Sequence, residues 1–176
     1  SWGALIFDFE NDGHNDIFVA NGIFKDIMDG DFRDFAAQEK LPDDASVSGF
    51  DFTRYSPKIP SAPLSNWAFV PAGDLQFKNE AESLGLGEKT FSNGAVYADL
   101  DLDGDLDLVL NNVNQKCSIY RNNAQNNYLK VKLTGDAKNP FGIGAKVKIN
   151  TNNQLLVKEN YTNRGFQSSI EPSLVF

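Results

Sequence analysis

Asp99-Leu-Asp101-Leu-Asp103-Gly104-Asp105-Leu-Asp107 decides the reading of this chain, because its spacing recurs in Asp8-Phe-Glu10-Asn-Asp12-Gly13-His14-Asn-Asp16. Each copy places acidic side chains at positions 1, 3, 5 and 9 and a glycine at position 6. Calcium takes about six to eight oxygens at about 2.3–2.6 Å, and glycine permits the sharp turn that aims them inward. The candidate ligands are Asp8, Glu10, Asp12 and Asp16 in the first loop and Asp99, Asp101, Asp103 and Asp107 in the second. Position 7, His14 or Asp105, can add its main-chain carbonyl. Two calcium ions are the implied cofactors.

An EF-hand begins the same way but closes with a bidentate Glu at position 12, between two helices. Here that position is Val19 or Leu110. The flanks are strand-like instead: Ala4-Leu-Ile-Phe7 and Ala95-Val-Tyr-Ala98 before the loops, Ile17-Phe-Val-Ala20 and Leu108-Val-Leu110 after them. The unit is strand, loop, strand. The competing reading is a pair of acidic turns without metal. Five clustered carboxylates in the second loop argue against it, since they repel strongly without a cation. In the first loop, Glu10 is one methylene longer than Asp, and His14 has only its carbonyl to give.

The formal net charge is −8, and two divalent ions would halve it. No Lys/Arg cluster exists to displace phosphate counterions, which argues against a nucleic-acid partner. Lys130, Lys132, Lys146 and Lys148 alternate with apolar residues and read as a solvated strand face. A single cysteine, Cys117, excludes an intrachain disulfide and reads as a small buried residue. No signal peptide or membrane-spanning run lies within these residues, so no direct membrane insertion is expected of this segment. The chain reads as cut at both ends, one strand before the first loop and in mid-strand at Leu174-Val-Phe176.

The expected fold is mainly all-β: partial propeller blades with calcium-binding loops, a short helical or irregular insertion, then a small antiparallel β domain. Residues 1–22 form a partial blade with the first loop. Residues 23–65 are the insertion: Phe24, Ile27, Met28, Phe32 and Phe35 recur at helical spacing, weakened by Gly30, and 41–63 are proline-rich. Such an insertion is either a binding surface or a covering loop. Residues 66–123 form a blade with the second loop, running from Trp67-Ala-Phe-Val70 and Leu75-Gln-Phe-Lys78 through Ser118-Ile-Tyr120. Residues 124–176 form the closing β unit, with Gly142-Ile-Gly144 as a tight turn into a strand. The aromatics Trp67, Tyr55 and Phe52 read as core or insertion packing rather than sugar platforms.

The repeated Asp-x-Asp-x-Asp-Gly-x-x-Asp loop, above all Phe91-Ser-Asn-Gly-Ala-Val-Tyr-Ala-Asp-Leu-Asp101 through Tyr120-Arg-Asn-Asn123, resembles the FG-GAP/VCBS repeats of integrin-α-like β-propellers. Asn139-Pro-Phe-Gly-Ile-Gly-Ala-Lys-Val147, with Gly165-Phe-Gln-Ser-Ser169, resembles the ASPIC and UnbV domain. Together they are similar to bacterial secreted or surface proteins related to cartilage acidic protein. The resemblance implies that Asp8, Glu10, Asp12, His14, Asp16, Asp99, Asp101, Asp103, Asp105 and Asp107 hold calcium, position 7 through its main-chain oxygen. It also implies further blades upstream, an extracellular or cell-surface location (secreted or outer-membrane associated), and a protein or glycan ligand. Two function classes stay open: an interaction module, or the scaffold of an exported polysaccharide-acting or other hydrolase. The only histidine, His14, sits inside a metal loop, and the clustered carboxylates are already required by calcium, which favours the module.

Overall fold

The computed structural model describes residues 3–38, 52–151, 154–165 and 167–176. Residues 39–51, Phe166 and the side chain of Phe52, named in the expectations above, lie outside them. Among the described residues the protein is mainly β, with several antiparallel sheets and no closed barrel. It divides into two compact units, Ser1–Gly22 with Leu64–Phe176, and Ile23–Pro63.

In the larger unit, β1 (Gly3–Phe7) and β2 (Asp16–Ala20) flank the first acidic loop. Next come β3 (Leu64–Ser65), β4 (Trp67–Pro71), β5 (Phe77–Asn79) and β6 (Lys89–Thr90). The second loop joins β7 (Ser92–Ala98) to β8 (Asp107–Asn112), and β9 (Ser118–Tyr120) follows. The C-terminal strands are β10 (Lys130–Lys132), β11 (Lys146–Asn150), β12 (Leu155–Glu159) and β13 (Ser173–Val175).

One sheet runs β1-β2-β4-β5 and another β7-β8-β9. This corrects the expected boundary at residue 66. Trp67, Ala68 and Phe69 pair with Val19, Phe18 and Ile17, so β4 and β5 complete the first loop's sheet rather than open the second's. The long excursion between β2 and β4 hides that continuity in the sequence. Asn21 closes its stem, donating from its main chain to Asn66 Oδ1 at 2.8 Å and from its side chain to Ser65 O at 3.0 Å.

Strand alternation places Leu5, Phe7, Phe18 and Ala20 on one face of the first sheet. They form one core with Ala95, Leu106, Leu108 and Leu110 from the second loop and its strands, and with Val175. Leu5, Phe18 and Leu110 are fully buried, each worth about 1.5–3 kcal/mol relative to exposure. A buried polar chain crosses between the sheets: Asn66 Nδ2 donates to Ser92 Oγ at 3.1 Å, and Ser92 Oγ donates to Asn112 Oδ1 at 2.8 Å.

Three further expectations are corrected. Cys117 is exposed, at the residue directly before β9 instead of within the strand. Trp67 is half-exposed on the outward face of the first sheet, while Tyr55 packs near Phe35, their ring centroids 6.4 Å apart. In the smaller unit α1 (Gly30–Gln38) starts at Gly30, so the helical spacing from Phe24 to Met28 does not belong to it. Asp29 sets that start: its Oδ1 caps the Phe32 N–H at 3.0 Å. A short α2 (Phe52–Tyr55) runs into a 3-10 turn at Ser56–Lys58.

Candidate metal centre

Both acidic loops fold on one frame. The position 9 carboxylate accepts the position 2 N–H: Phe9 to Asp16 Oδ2 at 2.7 Å, Leu100 to Asp107 Oδ2 at 2.9 Å. The position 1 carboxylate accepts the glycine N–H: Gly13 to Asp8 Oδ2 at 2.8 Å, Gly104 to Asp99 Oδ1 at 3.3 Å. The position 5 carboxylate accepts the position 7 N–H: His14 to Asp12 at 2.8 Å, Asp105 to Asp103 at 3.3 Å. Positions 4 and 6 are left-handed in both, with φ of 54° and 88° at Asn11 and Gly13, and 65° and 98° at Leu102 and Gly104. Left-handed backbone at position 4 costs Leu102 more than Asn11, whose short polar side chain tolerates it.

The loops differ in what they gather. Carboxylate oxygens of Asp99, Asp101 and Asp103 lie within 4.8 Å of one another, and so do those of Asp101, Asp105 and Asp107. Among the described residues no such triad forms from Asp8, Glu10, Asp12, His14 and Asp16. Glu10 and His14 point to solvent, and both Asp8 oxygens are engaged by main-chain N–H groups of the loop, Asp12 at 3.1 Å and Gly13 at 2.8 Å.

Asp105 tests whether a cation fits the second loop. It is 3% exposed, and neither carboxylate oxygen receives a hydrogen bond. Burial, with the Asp103 carboxyl beside it, pushes Asp105 up to about 6. The Ala124 N–H eases the charge but is spent on Asn122 Oδ1 at 3.2 Å. A buried carboxylate without a donor costs several kcal/mol, on the order of 1–3 or more, unless a positive group meets it. A divalent cation is such a group, and the donor set is all oxygen, as hard cations require. In the first loop, burial is also the main reason that Asp16 rises to about 6, with Asp8, Glu10 and Asp12 adding to it.

The segment after β9 covers both loops, and the sequence pattern did not single it out. Asn122 Nδ2 donates to Phe9 O at 2.7 Å and Asn126 Nδ2 to Glu10 O at 2.8 Å, while the Asn122 N–H donates to Asp107 Oδ1 at 2.9 Å. Asn11 Nδ2 reaches Gly104 O at 3.4 Å. Arg121 Nη2 lies 2.8 Å from Asp101 Oδ2. Lys130 Nζ is 3.2 Å from Asp99 Oδ2 and 3.1 Å from Glu171 Oε1, with its side chain mostly buried. Lys130 is therefore no solvated residue, unlike Lys132, Lys146 and Lys148, which are exposed. Burial pulls the Lys130 ammonium down, but Glu171 and Asp99 outweigh it and hold it above the ordinary lysine value. The available signal was the run of asparagines, whose amides reach main-chain carbonyls without adding charge.

Residues 135–176 match the ASPIC and UnbV family. The ASPIC and UnbV segment thus starts after β10, yet its last strand, β13, pairs with β10 through Val131↔Leu174. The sheet is completed by a strand outside the matched residues. Within the segment, β11 and β12 form a hairpin, and Lys158 lies mostly buried near Asp8. Burial lowers its ammonium below the ordinary lysine value, and Asp8 partly offsets this. No curated protein matches the chain. Among the described residues no helix is long and apolar enough to cross a membrane.

Proposed function

We propose that this chain is a calcium-stabilised part of an extracellular or cell-surface β-propeller, whose task is to bind a protein or glycan ligand. The observation that carries the calcium reading is the cluster of Asp99, Asp101 and Asp103, whose carboxylate oxygens lie within 4.8 Å of one another inside a loop frame that the chain uses twice. Calcium there supplies positive charge to carboxylates that otherwise repel one another. The Asp99–Asp107 loop is the stronger site and the Asp8–Asp16 loop the weaker one. The metal has a structural role, because each loop joins two paired strands and holds their register.

The propeller reading draws support from the outward face of the first sheet. Register places Ile6, Ile17, Val19, Trp67, Phe69 and Phe77 on that face. Ile6 is 61% and Trp67 49% exposed, an apolar surface of the kind a neighbouring blade covers.

Thermal melts with calcium and with chelator test the metal. A ligand bound only by the folded state adds about 2.7 kcal/mol at a hundredfold excess over Kd. Superimposable curves would refute it. A glycan array and a panel of polysaccharide hydrolase substrates, each with and without calcium, test the role: calcium-dependent retention without turnover is expected, and turnover would favour an enzyme scaffold.

A further inference from the structure

We propose that the Asp105 side chain is itself a ligand of the cation in the second loop, so that this loop binds with its position 7 carboxylate as well as those at positions 1, 3, 5 and 9. The inference rests on the calcium reading above and goes beyond it, since that reading asks only a main-chain oxygen of position 7.

Two observations independent of the acidic spacing carry it. First, an Asp105 oxygen lies within 4.8 Å of oxygens from Asp101 and Asp107, the separation that donors around one cation can have. Second, the side chain is 3% exposed and both its oxygens lack a hydrogen bond. A residue whose main chain alone was needed would be free to turn its carboxylate to water. Every other carboxylate in the loop has a partner: Asp99 meets Lys130, Asp101 and Asp103 meet Arg121, and Asp107 accepts from Leu100 and Asn122. Asp105 has only the like-charged Asp103 carboxyl and the Ala124 N–H beside it, and that N–H is donated to Asn122 Oδ1, so Asp105 is left to meet the cation.

The first loop supplies an internal control. Its position 7 is His14, an exposed side chain with no anionic oxygen to contribute. The two loops therefore differ in kind at this position, and the difference adds one negative charge to the second site. Affinity of oxygen-lined sites rises with the charge of the ligand set.

The test is a calcium titration of the whole chain followed by two-dimensional amide NMR, with the Gly104 and Gly13 signals reporting the second and first loops separately. Asp105→Ala is expected to weaken the second site by about tenfold or more and to leave the first site unchanged. Asp105→Asn, which keeps the shape and loses the charge, is expected to fall between them. In chelator, the melting temperature of Asp105→Ala should equal or exceed that of the unaltered chain, because an unpaired buried charge has been removed. Second-site affinity within twofold of the unaltered chain would overturn the inference while leaving calcium binding intact. So would a loss of stability in chelator, which would make Asp105 a packing residue. If the unaltered chain shows no shift at either glycine up to millimolar calcium, the calcium reading falls, and this inference with it.

Discussion

Replacing Gly104 with alanine should loosen the C-terminal segment as well as the loop. An ideal Cβ there falls 1.9 Å from Tyr128 Cε1 and 2.1 Å from Cδ1 and Cζ, so the ring must leave. Tyr128 is 46% exposed, so about half of its surface is packed. A buried aromatic covers about 150–250 Å², so displacement uncovers about 100 Å². At about 25 cal/mol per Å² that is at most about 2.5 kcal/mol. The left-handed backbone adds about 1–2 kcal/mol for any residue with a Cβ. Gly13 occupies the same loop position at nearly the same φ. Its Cβ would meet Gln154 Nε2 at 2.0 Å, the end of a flexible side chain that can turn away. Gly13→Ala should therefore cost only the backbone part, leaving a difference of about 2 kcal/mol between the variants. Urea unfolding in chelator measures both costs without the metal. In a Tyr128→Ala background the Gly104→Ala cost should fall to that of Gly13→Ala. Equal costs for the two glycine variants in the unaltered background would refute the reasoning.

Asn66→Ala strands the Asn21 N–H and removes the link to Ser92, a loss of about 1–3 kcal/mol by urea unfolding; a change within error would mean that water replaces the amide. Glu171 is held below the ordinary glutamate value by the Ser173 hydroxyl and then by Lys130. A depressed acid contributes stability that is present above its unfolded value and lost as pH falls through the folded one. Glu171→Gln should thus lower the melting temperature at neutral pH, and the two curves should converge in acid; a gap of constant size would refute the assignment.

Much of the strand pattern was legible because alternation survives in single strands: the run Ala4 to Phe7 and its partner Ile17 to Ala20 declare their faces without reference to anything distant. Sheet membership was not legible. Trp67 to Pro71 reads as the start of the second loop's unit, and only its pairing with β2 assigns it to the first loop's sheet. Helix α1 was misplaced at its start, since apolar spacing from Phe24 outweighed the capping signal of Asp29. In the loops, the acidic spacing pointed to the candidate carboxylates but carried no information about their neighbours. Arg121 and Lys130 come from later strands and connectors, and nothing local to Asp99 or Asp101 announces a cation arriving from there.

The two loops show why a shared backbone frame does not produce equal sites. Their three hydrogen bonds and two left-handed positions coincide, so main-chain geometry does not separate them. The difference lies in the side chains at positions 3 and 7. Asp101 belongs to both carboxylate triads of the second loop, whereas Glu10 extends into solvent from a frame sized for the shorter residue. Asp105 turns a carboxylate into the loop, where the first loop offers His14 at the surface. The larger charge of the second loop is also met by more protein: Arg121 and Lys130 both reach it, and Lys130 continues to Glu171 near the start of β13. Charge at the second loop is thereby tied to the seating of the last strand, and perturbing its carboxylates should be felt there before it is felt at the first loop.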